Sequence, residues 1–251
     1  MADIRQYENH WRVATFEVDA QSEMKLSTML RICQETSEKH LAALGVGYEK
    51  LKEDGMVFLI TKSESTIKRM PAHTEELRVV TKPQGVRGAE FYRDYEFFVG
   101  EESIAYVMQC SVAANTQTHR ILHPRKFAAY GLDASANGVT DHVLSRIKIE
   151  GLPFLGERVI RYSDLDYNGH LNNAIYGDIF YDFAPGGIMG KKLTRVQINF
   201  VNESLLGEVI RIFGAEKDGQ VLLYGENSRG RAFEASAKLV ERDMYDFKEL
   251  N

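Results

Sequence analysis

Two stretches of this chain repeat one order of elements, and that repetition constrains the fold more than any other feature of the sequence. In the first half, Arg12 to Val18 has the look of a short strand. A helical stripe follows, with Leu26, Met29, Leu30, Cys33, Ser37, His40, Leu41 and Leu44 at three-four spacing and Gly45 as its stop. Alternation then predicts strands around Val57–Thr61, Leu77–Thr81, Phe91–Val99 and Ile104–Cys110, the last two joined at Gly100. The second half runs the same way. Arg158 to Tyr162 reads as a strand, and Ile175, Tyr176, Ile179, Phe180 and Phe183 mark a helix ended by Pro185-Gly186-Gly187. Strands around Val196–Phe200, Val209–Phe213, Val221–Tyr224 and Ala232–Val240 complete it, with Asp218-Gly219 as a hairpin turn.

One helix can bury its apolar stripe only by lying across a curled sheet, so each half is expected to be a two-layer α+β unit. A repeat this long signals domain duplication rather than a solenoid. The expected division is residues 1–123 as the first repeat, 124–152 as a linker and 153–251 as the second repeat. The linker has weak periodicity and carries Gly131 and Asn137-Gly138.

The chain has 251 residues and a net charge of -5, which argues against a general nucleic-acid binder. No apolar run approaches the roughly 18 residues that span a bilayer. The polar start, Met1 to Trp11, lacks the apolar stretch of a secretory signal, so a cytoplasmic protein is expected. Cys33 and Cys110 are expected as buried free thiols.

The chemistry concentrates in Arg161-Tyr-Ser-Asp-Leu-Asp-Tyr-Asn-Gly-His-Leu-Asn-Asn173, ahead of the second helix. Asp166, Asn168 and His170 are spaced two apart, so an extended chain points them to one side, next to a helix N-terminus that favours developing negative charge. Such a set suits acyl transfer. It also suits a plain helix cap with a packed histidine, and the residues by themselves leave both readings open. Other signals are poor. His119 and His123 have no third metal ligand nearby in sequence, Gly186 to Lys192 fails the phosphate-loop spacing, and no Gly-x-Ser-x-Gly elbow exists.

The architecture and the run Asp-Leu-Asp-Tyr-Asn-Gly-His-Leu-Asn-Asn resemble the acyl-acyl-carrier-protein thioesterases of plants and bacteria, which are double hotdog folds. The resemblance covers nearly the whole chain. It implies a tandem α+β hotdog, each repeat an antiparallel sheet wrapped around one long helix. Asp166, Asn168, His170, Asn172, Asn173 and Tyr176 fill the family pattern, and Phe200-Val-Asn-Glu203 supplies its acid. The resemblance thus implies Asp166, Asn168, His170 and Glu203 as catalytic, and Asn172, Asn173, Tyr176 and Ser204 as substrate-binding. Plant members have a cysteine where this chain has Ser204, which speaks against a thiol nucleophile here. The implied activity is hydrolysis of acyl-carrier-protein thioesters by water, without cofactor or metal, in a monomer or homodimer. Carrier proteins being acidic, Lys191, Lys192 and Arg195 form the expected docking cluster.

On this scheme Asp166 and His170 hold and deprotonate water, with Glu203 as the alternative base. Asn168 or the N–H groups opening the second helix face the oxyanion. Sliding the halves by their helices sets Gln21, Glu23 and Lys25 against Asp166, Asn168 and His170, with no match for Glu203 near Met70-Pro71. One active site per chain is expected, and Met24, Met29, Leu30, Cys33, Val57 and Leu59 of the first half either wall an acyl pocket or pack as ordinary core. Rival functions are an acyl-coenzyme A thioesterase, a hotdog dehydratase and a non-catalytic acyl-binding module.

Overall fold

The structure, a computed structural model, describes residues 3, 5–130 and 141–242. Gly131, Asn137 and Gly138, on which part of the linker reading rests, lie outside them. Strand β1 (Tyr7–Arg12) is followed by helices α1 (Leu26–Ala43) and α2 (Tyr48–Glu53). Strands β2 (Met56–Ile67), β3 (Glu76–Arg87), β4 (Glu90–Val99) and β5 (Glu102–Asn115) complete the first half. The second half comprises β6 (Phe154–Val159), helix α3 (Ile175–Phe183), then β7 (Lys191–Phe200), β8 (Val209–Lys217), β9 (Gln220–Asn227) and β10 (Gly230–Glu241).

All ten strands form one antiparallel sheet in the order β1-β3-β4-β5-β2-β7-β10-β9-β8-β6. The halves join where β2 pairs with β7, from Lys62 opposite Asn199 to Thr66 opposite Arg195. Glu64 there faces Gln197, its own counterpart in the other repeat, so a pseudo-two-fold axis passes through that pair.

Several expectations shift. The opening strand of each half lies a few residues earlier than alternation suggested, and short 3-10 turns follow at Thr15–Glu17, inside the stretch read as strand, and at Tyr162–Asp164, where that of the second half ends. The same local structure follows the strand in both halves. In each turn an acid three residues on takes the backbone N–H that opens it: Glu17 from Ala14 at 2.8 Å and Asp164 from Arg161 at 2.9 Å. Helix α2 was not foreseen. The second helix is also short, nine residues against eighteen in α1, because Pro185 cannot continue it and Gly186 and Gly187 turn with positive φ.

Helix α1 ends as expected. Gly45 takes φ +78°, and the N–H groups of Gly45 and Val46 return to Ala42 and Leu41. Its apolar stripe, including Met29, Leu30, Ile32 and Cys33, is buried in the main core with Val79, Tyr95 and Phe97 of the sheet. Burying each such side chain contributes about 1.5–3 kcal/mol. The core continues into the second half through Ile175, Tyr176, Ile179 and Phe180 of α3. Where the helices meet, a Cβ on Gly177 would stand 2.9 Å from the Ser27 nitrogen. Only glycine permits that approach.

The extended segment 141–150 crosses the joint on the sheet face away from α1. Leu144 packs on Tyr92, Met108 and Cys110 there. Its backbone takes hydrogen bonds from Lys62 Nζ at 2.9 Å and Gln197 Nε2 at 2.6 Å, and Arg146 pairs with Glu234 at 3.0 Å. No described helix is long and apolar enough to cross a membrane.

Candidate active site

The turn preceding α3 is built by its own carboxylate. Asp166 Oδ1 accepts the backbone N–H of Asn168 at 2.8 Å and of His170 at 3.2 Å, and Gly169 provides the positive φ that closes the turn. Leu171 N–H then donates to Ser204 O at 2.8 Å, which stitches the turn to the chain leaving β7. That stitch brings Glu203 beside His170, with Nε2 to Oε2 at 3.1 Å.

The first repeat folds the same turn from different residues. Asp19 Oδ1 accepts the N–H of Gln21 at 2.8 Å and of Glu23 at 3.3 Å, Ser22 takes the positive φ, and Met24 N–H donates to Pro71 O at 2.8 Å. The counterparts of Asp166, Asn168 and His170 are therefore Asp19, Gln21 and Glu23. This corrects the sequence alignment by two residues, because the longer α1 begins at a different point on the turn from α3. The acid is kept, the imidazole is lost, and Met70 stands where Glu203 does. The degenerate turn is also closed: Glu23 pairs with Arg242, and Gln21 Oε1 accepts Gly190 N–H at 2.9 Å.

The second-repeat turn opens instead onto a cavity of about 670 Å³ between the two halves. Asp166, Asn168, His170, Asn172, Asn173, Tyr176 and Glu203 all reach its wall. Asn168 is held from the other half, where Tyr48 on α2 donates its hydroxyl to Asn168 Oδ1 at 3.0 Å and packs on the Tyr167 ring at 4.1 Å. The amide Nδ2 is then the group left to donate. Sequence reasoning missed Tyr48, since nothing local ties it to a turn 120 residues away. It also missed Arg229 and Asn227, which donate to the Glu203 carbonyl at 2.7 and 2.9 Å and fix the segment carrying the acid.

The remaining predicted residues divide. Asn172 Oδ1 accepts Ala174 N–H at 2.8 Å and its carbonyl accepts Ile175 N–H, so the N–H groups of Ala174 and Ile175 at the entry to α3 are occupied. Asn173 presents an amide with no hydrogen-bond partner among the described residues. Tyr176 lies against Phe200 and Phe233 and bonds Ser204; burial pushes its phenol up to about 12. Ser204 itself is wholly buried and absent from the cavity wall, with Oγ taking Asn227 Nδ2 at 3.1 Å. The structure thus places it under the site rather than against a substrate.

The two readings of the first-half apolar residues divide as well. Met24, Met29, Leu30 and Cys33 are core, Val57 is off the main cavity, and only Leu59 of that group lines it. Helix α1 turns its other face to the space, with Arg31, Gln34, Glu35 and Glu38. The basic residues expected to dock the carrier lie away from the cavity. Arg195 pairs with Glu64 at 2.6 Å, and Lys191 begins the strand whose far end leads to Glu203, on the order of 30 Å away by strand rise. Both thiols are buried and free, and burial raises Cys33 well above the ordinary thiol range and Cys110 to about 11. His119 is exposed, His123 caps Arg125 N–H, and no metal-holding cluster exists among the described residues.

Two family profiles match the chain: the acyl-ACP thioesterase N-terminal domain over residues 5–125 and the acyl-ACP thioesterase C-terminal domain over residues 155–235. Among solved structures, it resembles an acyl-ACP thioesterase from Bacteroides thetaiotaomicron, with 19% identity over 94% of this chain and 98% of that one and a TM-score of 0.83. A putative oleoyl thioesterase from Lactobacillus plantarum is 23% identical over 94% and 95%, with a TM-score of 0.82. The 12:0-ACP thioesterase from Umbellularia californica is 14% identical over 94% and 98%, also at 0.82. No curated protein sequence matches at a significant level. The two profiles cover most of both repeats, and the chain belongs to the acyl-ACP thioesterase family, a tandem hotdog hydrolase of fatty acyl-carrier-protein thioesters.

Proposed function

We propose that the second repeat performs the hydrolysis and the first shapes the acyl cavity, with water as the direct nucleophile. Residues 1–123, 124–152 and 153–251 are then pocket repeat, linker and catalytic repeat. A thioester asks little of its catalyst, because a thiolate leaves readily. In this scheme Asp166 Oδ2, which has no hydrogen bond among the described residues, holds the water together with His170. The imidazole takes the water's proton as the oxygen attacks, and Glu203 stabilises the resulting imidazolium. Asn168 Nδ2, oriented by Tyr48, donates to the carbonyl oxygen as it becomes charged; one such donor is worth about 3 kcal/mol. The tetrahedral intermediate collapses by expelling the pantetheine thiolate, which recovers a proton from His170.

The observation that carries this reading is the 3.1 Å approach of His170 to Glu203 on the wall of a cavity, in the one repeat that keeps both groups. The expected partner is acyl carrier protein and the expected compartment is the cytoplasm, with the chain as monomer or homodimer. Single-turnover hydrolysis of acyl-carrier-protein by His170→Ala and Glu203→Gln tests the scheme. Each should slow the chemical step by about 10²–10⁴-fold, with no acyl-protein adduct by mass spectrometry. Wild-type rates in both variants, or a covalent acyl-enzyme, would refute it. The same acyl chain on coenzyme A measures how far the carrier itself is recognised.

A further inference from the structure

The inner wall of the cavity carries a charge that the hydrolytic scheme does not use. Arg93 lies on β4 between Phe91 and Tyr95, on the face turned toward α1, and lines the space. Among the described residues only Nη1 is held: it donates to Thr81 Oγ1 at 3.3 Å and to His40 Nδ1 at 3.0 Å. His40 Nε2–H donates to the Asp3 carbonyl at 2.9 Å, so Nδ1 presents a lone pair and the imidazole is neutral. Neither partner balances the guanidinium, and Arg93 forms no ion pair among the described residues. Glu38, an acid on the α1 side of the cavity, attracts the guanidinium but forms no ion pair with it, and burial pushes the Glu38 carboxyl up. Beside Arg93 across the β4–β5 ladder is Gln109, 4% exposed, on the same wall. The Gln109 amide has no hydrogen-bond partner among the described residues either.

An enclosed cation with no directly paired carboxylate is costly, and so is an enclosed amide with no partner. A cavity shaped only for hydrocarbon would have gained by replacing both. A planar guanidinium whose Nε and Nη2 have no partner among the described residues matches a carboxylate, and a neighbouring amide adds a further donor.

We infer that Arg93 and Gln109 form a subsite for an oxygen-bearing end of the acyl chain, a carboxylate above all, remote from the thioester. The enzyme would then favour half-thioesters of dicarboxylic acids, and chains with terminal oxygen, over plain alkyl chains of equal length. This rests on the hydrolytic reading and narrows its substrate.

The test compares kcat/KM for carrier-protein thioesters of matched lengths ending in methyl, hydroxyl or carboxylate, with wild type, Arg93→Met, Arg93→Lys and Gln109→Leu. Wild type should prefer the carboxylate end at the best-fitting length by at least about tenfold, since a site built for a polar group discriminates strongly against an analogue lacking it. Arg93→Met should reverse that order, Gln109→Leu weaken it, and Arg93→Lys retain part of it. A wild-type preference for methyl ends at every length overturns the inference, and needs no variant to fold. So does an unchanged preference in folded Arg93→Met. Absence of turnover on every thioester would instead refute the hydrolytic reading.

Discussion

The duplicated turn supplies its own control for what Asp166 does. Asp19 and Asp166 each accept two backbone N–H groups through one carboxylate oxygen, at 2.8 and 3.3 Å in one repeat and 2.8 and 3.2 Å in the other. Only Asp166 borders the cavity. Truncation to alanine removes the turn acceptor in either place and should cost about 1–2 kcal/mol. For a chain of this size that lowers Tm by about 2–8 °C. Asp19→Ala should do so with kcat unchanged. Asp166→Asn keeps an Oδ1 in place, so its Tm should stay near wild type, but it removes the negative charge that the proposed scheme uses to hold water beside His170. Its kcat should then fall by about 10²-fold or more. Thermal melts on all variants, set beside initial rates on acyl-carrier-protein, separate the two roles. Wild-type kcat in Asp166→Asn would show that the carboxylate only builds the turn, and the water-holding role would be withdrawn.

Tyr48→Phe removes one hydrogen bond worth about 0.5–1.5 kcal/mol, so kcat should fall about 2- to 13-fold with KM little changed. In an Asn168→Ala background the same substitution should do nothing; an equal loss there would mean Tyr48 acts elsewhere. Gly177→Ala would gain up to about 1 kcal/mol in an open helix, but its Cβ would press on the backbone of α1, so a net loss of about 1–2 kcal/mol is expected in denaturant melts. A stabilised variant would contradict that close approach. Cys33 and Cys110 should resist maleimide in the folded protein at pH 8 and react once it unfolds, followed by mass. The raised Cys110 thiol contributes stability that is complete below the unfolded thiol's pKa of about 8.5 and is lost as pH rises toward about 11. Rapid labelling of native protein would oppose this.

The repeated order of elements, the stop at Gly45, the Asp218-Gly219 turn and the gathering of Asp166, His170 and Glu203 were all legible from spacing, turn chemistry and family pattern. What escaped has two physical causes. A 3-10 turn closed by an acid three residues on leaves no periodicity, which displaced the opening strand of both halves. Helix amphipathicity names the face that meets the sheet and treats the other as solvent-facing. Here the polar side of α1 borders the cavity: Arg31, Gln34 and Glu38 form the wall, and Met29, Leu30 and Cys33 are core. Tyr48, Arg93 and Arg229 act across long sequence distances, where no local rule reaches them.

The seam between β2 and β7 also governs what becomes of either half made alone. Each would present a long strand with its row of amides and carbonyls bare, ready to template a foreign chain. Because Glu64 meets its own counterpart Gln197 there, the natural occupant of a bared edge is a second identical half in the same register. Halves made apart would thus be expected to form self-paired twins, two first halves or two second halves, of which only the latter bear the His170–Glu203 pair.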